Sequence, residues 1–280
     1  HNAYYHLGES YLKTNKKLQA LNAFKNASEM SFDTQIQEDA ALNYAKVSYD
    51  IGNSYQAVPD VLNAFIQKYP KSPAKLEIEN LLIDSYITSK NYQGALDLLE
   101  KNKSSNKVAY QKVTFYRGLE LYTDGNYSEA LKLFVKSINE PRDAKFLARA
   151  TFWKAETEYV LDNFSAALIT YKQFLNLAEA KNTTEFKNSN YNIAYTYFKL
   201  KEYDQAGDYF QKQIDAAPKE NVRLNDSYLR LGDSRFVSGK YWPAMDAYNK
   251  AIEFKSIDAD YAAYQKTISY GFVAKKKKKI

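Results

Sequence analysis

The chain has 280 residues, no cysteine and only two histidines, His1 and His6, both at its extreme start. That excludes disulfides, thiolate metal sites, a cysteine nucleophile and a multi-histidine zinc site. The formal charge is +6, but Lys275 to Lys279 supply five of those charges, so the body is nearly neutral and the basic run reads as a solvated chain end. Apolar residues at 45% and charged residues at 26% suit a folded globular protein, whereas 9 glycines and 6 prolines are too few for a turn-rich β-fold.

In chain order, one pattern recurs: a turn, an aromatic, two residues, then alanine. Weak copies occur at Lys17 to Ala20 and Tyr55 to Val58. Clear ones follow at Tyr92/Ala95, Tyr127/Ala130, Phe164/Ala167, Tyr203/Ala206 and Tyr241/Ala244. Positions 17, 55, 92, 127, 164, 203 and 241 are spaced by 38, 37, 35, 37, 39 and 38 residues. Such a period marks a repeat architecture. Each unit reads as two helices. The first has apolar residues at helical spacing, as in Tyr4, Leu7, Gly8 and Tyr11. A polar turn with Gly or Asn follows, where left-handed backbone is needed and Asn or Ser would cap the next helix. The second carries Ala20, Phe24 and Ala27, or Ala244, Tyr248 and Ala251. Pro70 and Pro218 would stop it.

Small residues fall at fixed places: Gly8, Gly118, Ala155, Ala194 and Gly232 on first helices, and Ala20, Ala95, Ala130, Ala167, Ala206 and Ala244 on second helices. They let paired helix axes approach, with Tyr11, Tyr49, Tyr86 and Tyr197 interlocking against Phe24, Phe134, Tyr171, Phe210 and Tyr248. One pair cannot bury its apolar face alone; stacked pairs can, which gives a solenoid.

The aromatic, Leu-Gly, Tyr, Ala, Phe, Ala order at Tyr4, Leu7, Gly8, Tyr11, Ala20, Phe24 and Ala27 resembles the tetratricopeptide repeat, as do Tyr228, Leu231, Gly232, Tyr241, Ala244, Tyr248 and Ala251. Pentatricopeptide repeats have a similar period, but the aromatic pattern and Lys68-Tyr69-Pro70 are more similar to the tetratricopeptide type. The resemblance implies an all-α, right-handed α-solenoid of about seven to eight helix-turn-helix units. Their bounds are 1–36, 37–74, 75–108, 109–144, 145–184, 185–222, 223–257 and a partial eighth at 258–280. Residues 102–107 and 181–184 read as lengthened loops between pairs. Tyr264, Ile268 and Tyr270 mark one face of the eighth first helix, Lys275 would begin its second, and the chain reads as a segment of a longer protein. The lengthened repeats with Tyr-Pro ends, as at residues 65–74, are also similar to those of bacterial cell-envelope proteins such as outer-membrane assembly lipoproteins and the Tol-Pal coordinator family. That implies a periplasmic or outer-membrane-associated setting rather than a cytoplasmic one.

No phosphate-binding loop surrounds Gly239, and no Ser-His-Asp set is possible without a later histidine. Glu156 and Glu158, two residues apart, point to different helix faces. The Asn26 and Asn182 glycosylation sequons carry little weight in an Asn-rich chain. The expectation is no enzyme activity, no catalytic residue, no metal and no cofactor. No stretch reaches the length of a transmembrane helix.

In the resembling family, first helices line an inner groove that receives a partner peptide or helix. Projected here, the groove carries Tyr5, Glu9, Asn43, Val47, Asn80, Asp84, Phe115, Leu119 and Tyr122. It continues with Phe152, Glu156, Tyr159, Tyr191, Tyr195, Phe198, Leu229, Asp233 and Phe236. Aromatic anchors of this kind are common binding hot spots. The recurring acids Glu9, Asp84, Glu156 and Asp233 imply a protein partner with apolar anchors and some Lys or Arg. The two-carboxylate clamp of chaperone-binding members needs Lys, Asn and Arg where Tyr5, Glu9 and Asn43 or Tyr44 stand, so chaperone tails are excluded. The leading expectation is a non-catalytic protein–protein interaction scaffold in a bacterial envelope complex. The alternatives are an RNA- or polyanion-binding repeat, disfavoured because the basic charge sits in the tail, and an accessory domain of an enzyme encoded elsewhere in a longer chain.

Overall fold

The computed structural model describes residues 2–101, 106–216, 222–255 and 258–277. Pro218, residues 102–105 of the first lengthened loop and the last residues of the lysine run lie outside them. The described residues form α-helices throughout, with no strand among them. The order is α1 (Asn2–Lys13), α2 (Lys17–Ser28), α3 (Thr34–Ile51), α4 (Val58–Lys68), α5 (Lys75–Thr88), α6 (Tyr92–Lys101), α7 (Lys107–Thr123) and α8 (Tyr127–Ile138). There follow α9 (Ala144–Val160), α10 (Phe164–Leu175), α11 (Ser189–Lys199), α12 (Tyr203–Ala216), α13 (Val222–Val237), α14 (Tyr241–Glu253) and α15 (Ala259–Lys277). The chain forms two compact units, residues 1–114 and 115–280. Within each, helices pack on their sequence neighbours and, as in α3 with α5 or α11 with α13, on the next helix but one. This local connectivity is that of an α-solenoid.

The turn has one geometry in six of the seven pairs, and every turn carries one residue at positive φ. A single residue adopts positive φ at Asn15, Gly52, Lys90, Gly125, Asp162, Lys201 and Gly239, which carries the repeat period into the backbone. Except in the second pair, the next amide bonds back five residues, as in Lys16 N to Tyr11 O (2.8 Å), Asn126 N to Leu121 O (2.8 Å) and Lys240 N to Arg235 O (2.8 Å). This Schellman bond satisfies carbonyls left open at the end of the first helix. Only three of the seven left-handed residues are glycine, so Lys90, Asp162 and Lys201 adopt a conformation that L-residues disfavour.

The expected Asn caps are made only in part. Asn91 Oδ1 accepts from Gly94 N at 3.0 Å, but Asn126 and Asn163 make no side-chain cap bond. Asp33 and Asp143 cap α3 and α9 instead, each accepting from the two amides that follow one residue on. The second pair also departs from the pattern. Tyr55 is 59% exposed and precedes α4, which starts three residues later. Asn53 holds that delay: its Oδ1 accepts from Tyr55 N (2.9 Å) while its Nδ2 donates to Ser48 Oγ (2.9 Å).

Five of the helix pairs are held by a small residue on the first helix against an aromatic ring sixteen positions on. A Cβ added at Gly8 would lie 2.7 Å from the Phe24 ring, at Gly118 2.8 Å from Phe134, and at Gly232 2.5 Å from Tyr248. Ala155 and Ala194 stand at the same offset from Tyr171 and Phe210, and all four are buried. The patterned alanines of the second helices, Ala20, Ala95, Ala130, Ala167, Ala206 and Ala244, are fully buried. Tyr49 is instead exposed at the surface. α15 also differs from expectation. It turns Ala262, Ser269 and Val273 inward and leaves Tyr264 and Tyr270 exposed. It runs unbroken to Lys277, so Lys275 continues the first helix rather than beginning a second.

Gly232→Ala should therefore destabilise the protein by about 1–3 kcal/mol, because overpacking against the buried Tyr248 ring outweighs the gain in helix propensity. Gly271→Ala, where nothing lies within 4 Å of the new Cβ, should be neutral or slightly stabilising. Urea unfolding followed by circular dichroism separates the two.

Candidate partner-binding site

Some expected groove residues in the first unit are engaged locally. Tyr5 packs edge-on against Phe24 (5.9 Å), and its hydroxyl pKa is raised by burial and by Glu9 and Asp39. Glu9 pairs with His6 Nδ1 at 3.0 Å. Asn43 Nδ2 donates to Asp39 O of its own helix (2.9 Å), Asn80 Oδ1 accepts from Asn106 Nδ2 (2.9 Å), and Asp84 is exposed. Val47 is buried in the core. A cleft of about 220 Å³ in this unit is lined by other residues, among them Tyr44, Phe65, Lys68 and Tyr69.

In the second unit two expected anchors prove to be core. Phe115 is 0% exposed and packs on Phe134 and Phe146, with the Arg149 guanidinium 4.7 Å from its ring. Phe152 is 4% exposed and packs edge-on against Tyr171 (5.8 Å) and Phe174 (5.3 Å). Both face the paired second helix, so they hold the repeat together and offer nothing to a ligand. Leu229 is buried in the same way. Leu119 packs on the Phe115 cluster, Phe198 on Tyr203 (5.2 Å), and Phe236 on Tyr241 and Phe272.

Four expected residues do converge. Glu156 and Tyr159 on α9 meet Tyr191 and Tyr195 on α11 around a cavity of about 260 Å³. Tyr171 of α10 and Asn192 of α11 complete its lining. The Tyr171 hydroxyl and the Asn192 amide both donate to Glu156 Oε1. Burial raises the Glu156 pKa, against the lowering effect of those two donors and of Arg223. Its carboxylate in turn helps hold the neighbouring phenols protonated. Burial and then Glu156 push Tyr122 up to about 12 and raise Tyr159. Tyr122 stacks edge-on with Trp153 (5.1 Å), one helical turn before Glu156.

Beyond the cavity a polar ladder runs from α11 to α15. Tyr191 and Tyr195 hydroxyls donate to Asp226 Oδ2 at 2.9 and 2.5 Å. Arg230 Nε donates to the Tyr195 hydroxyl (3.2 Å), and Arg230 pairs with Asp233 at 2.8 Å. Asp233 Oδ1 then accepts from Tyr248 (2.9 Å) and Tyr261 (3.1 Å). Burial and Asp226 hold Tyr195 up to about 12. Asp233, expected to face a partner, is buried and already committed within this ladder. Sequence projection missed Tyr171, because only first helices were projected onto the groove. It also missed Trp153, Asn192 and Arg230. Each stands three positions before Glu156, Tyr195 or Asp233, so the 3.6-residue period places it on the same face.

A second buried cluster holds the same face of α9 one to two turns before Glu156. Residues 176–188, between α10 and α11, fold into two short 3-10 turns at 180–182 and 186–188. They deliver Glu185, 6% exposed, to Arg149 Nε (2.9 Å) and Trp153 Nε1 (3.1 Å). Burial alone would raise the Glu185 pKa, but the Arg149 bond and charge prevail and it is lowered.

No group of three or more potential metal ligands occurs among the described residues, and no helix there is long and apolar enough to cross a membrane. The tetratricopeptide-repeat family model matches residues 1–34 and 188–220. Those two segments are similar to single tetratricopeptide repeats. Among solved structures, the apo form of RapI is 16% identical with a TM-score of 0.53, covering 97% of this chain and 81% of that one. YrrB, a tetratricopeptide-repeat protein with an unusual peptide-binding site, is 15% identical with a TM-score of 0.52, covering 75% and 99%. A signal-transduction ATPase with a tetratricopeptide repeat sensor from Pyrococcus horikoshii is 17% identical with a TM-score of 0.52, covering 89% and 40%. At these identities the likeness is one of fold. No curated protein sequence matches the chain.

Because folding lowers the Glu185 pKa, its ion pair contributes fully above the ordinary glutamate value of about 4.3 and is lost as pH falls through the lower folded value. Glu185→Gln should cost about 2–4 kcal/mol at pH 7, since it strands a half-buried Arg149. Chemical denaturation at pH 7 and pH 3 should show the gap to wild type narrowing at the lower pH.

Proposed function

We propose that this protein is a non-catalytic scaffold that holds a segment of another protein against the first-helix face of its second unit, at the tyrosine cavity around Glu156. The observation that carries this reading is the cavity itself: five side chains from the first helices of two successive repeats and one from a second helix leave a preformed, partly apolar recess with a carboxylate in its lining. Rigid tyrosines supply contact area at low entropic cost, which is why aromatic anchors dominate binding hot spots. Tying Tyr191 and Tyr195 to Asp226 fixes them before a partner arrives and reduces what binding must order. YrrB, by its description, shows that this fold can carry a peptide-binding site.

The partner is a peptide or helix with apolar anchors and some basic residues. The lengthened repeats and the Tyr69-Pro70 end support a place in a bacterial envelope complex, with any membrane association made through partners.

Photo-cross-linking in the native host tests the reading. A benzophenone side chain at position 159 should capture a protein partner, whereas one at the exposed Ile169 of α10 should not. Replacing Tyr159 and Tyr195 together by alanine should cut recovery of that partner at least tenfold while helicity is unchanged. Equal capture from both positions, or capture of nucleic acid at 159, would overturn it.

A further inference from the structure

The chemistry of the cavity narrows the partner, on the understanding that a partner segment binds there at all. Glu156 is the one carboxylate in its lining, and the rest is Tyr159, Tyr171, Tyr191, Tyr195 and Asn192. Both protein donors reach the same oxygen, Oε1. Oε2 receives no hydrogen bond from any described residue, and no lysine or arginine among them forms an ion pair with Glu156. Arg223, whose charge is felt at Glu156, is itself committed elsewhere. It donates to Asn188 (2.6 Å) and lies 5.8 Å from the Tyr191 ring.

A largely desolvated carboxylate with no bound cation is costly, and a cation entering the cavity would relieve that cost. The walls favour the same sign of charge. The hydroxyls of Tyr191 and Tyr195 are spent on Asp226, so those side chains offer the cavity ring carbon, and aromatic rings attract cations. The number of open acceptors separates the two common cations. A guanidinium presents a fork that wants two carboxylate oxygens, whereas an ammonium is a compact point donor that one oxygen satisfies. Here one oxygen is open. A recess of about 260 Å³ suits a single side chain rather than a larger ligand.

We propose that the cavity receives the ammonium group of a lysine carried by the bound partner segment, with the charge at Glu156 Oε2 and the four-carbon stem among the tyrosine rings.

Side-chain mimics test this on the whole protein. With tyrosine rings isotopically labelled, n-butylammonium, n-butylguanidinium and n-butanol are titrated and ring signals followed by NMR. Saturable shifts of Tyr159, Tyr191 and Tyr195 are expected with n-butylammonium, at least tenfold weaker with n-butanol. Glu156→Gln should reduce n-butylammonium affinity at least tenfold. Equal response to n-butanol overturns the ionic assignment, and guanidinium binding as tight as ammonium overturns the choice of lysine. Should Glu156→Gln lose the dispersion of its tyrosine signals, Tyr159→Leu provides the second arm. It removes one ring, and it should weaken n-butylammonium binding severalfold; unchanged binding counts against the proposal. A partner captured at position 159 that still binds after its lysines are acetylated leaves the scaffold standing and this inference refuted. Absence of any capture there refutes the scaffold.

Discussion

Five of the seven helix pairs depend on one contact: a side chain of at most a methyl group on the first helix, lying under an aromatic ring sixteen residues later. Glycine at 8, 118 and 232 and alanine at 155 and 194 let the helix axes approach until Phe24, Phe134, Tyr248, Tyr171 and Phe210 cover them. Close-packed interiors do not absorb an added methyl cheaply. The contact fixes the spacing within a pair. That spacing fixes which residues of the first helix face inward to the second and which face outward. The site inherits its geometry from this rule. Phe152 and Glu156, one turn apart on α9, fall on opposite sides of the boundary, the first sealed in the core and the second opening on the cavity.

The polar ladder is a second level built on the first. Bonds from Glu156 to Asn192, Tyr191 to Asp226 and Tyr195 to Arg230 span 35 or 36 residues, close to one repeat, so each links equivalent faces of successive first helices. Of three carboxylates, Glu156, Asp226 and Asp233, the last two pair with the Arg230 guanidinium, while Arg223 donates to Asn188. The pairing is nearly complete from Asp226 onward and incomplete at Glu156. Buried polar networks of this kind impose register when satisfied and are expensive when partly satisfied. The incompletely satisfied end is where a ligand has most to gain.

Much of the fold was legible in the sequence, because the period and the small residues are direct signatures of the pair contact. The errors have particular causes. Tyr55 matched the aromatic pattern but sits before α4, since Asn53 caps a short irregular segment that delays the helix. Asn126 and Asn163 looked like caps, but the Schellman turn already places their backbone amides and the side chains are not used. Helix α15 was assigned the face bearing Tyr264 and Tyr270, when the small residues Ala262 and Ser269 mark the packed side. At the site, four of six lining residues were identified by projection. Aromatic character alone could not separate Phe152, which fills the pair interface, from Tyr159, which does not. Tyr171 was read only as a packing residue, although its hydroxyl reaches out of the core to Glu156.

The connectivity within the second unit has a mechanical consequence. Helices there touch their immediate or next-but-one neighbours, so tension applied along the chain would be borne in series, and helix pairs would peel away one after another. Resistance would not be uniform. From α9 to α15 each step must also break side-chain bonds that cross between repeats, including the short Tyr195–Asp226 bond and the Asp233 junction with Tyr248 and Tyr261. Those bonds act as a clutch. A force that strips helices from the α15 end meets the Asp233 junction first and the Tyr195–Asp226 bond next, so the cavity elements would be among the last parts on that side to lose their shape under load.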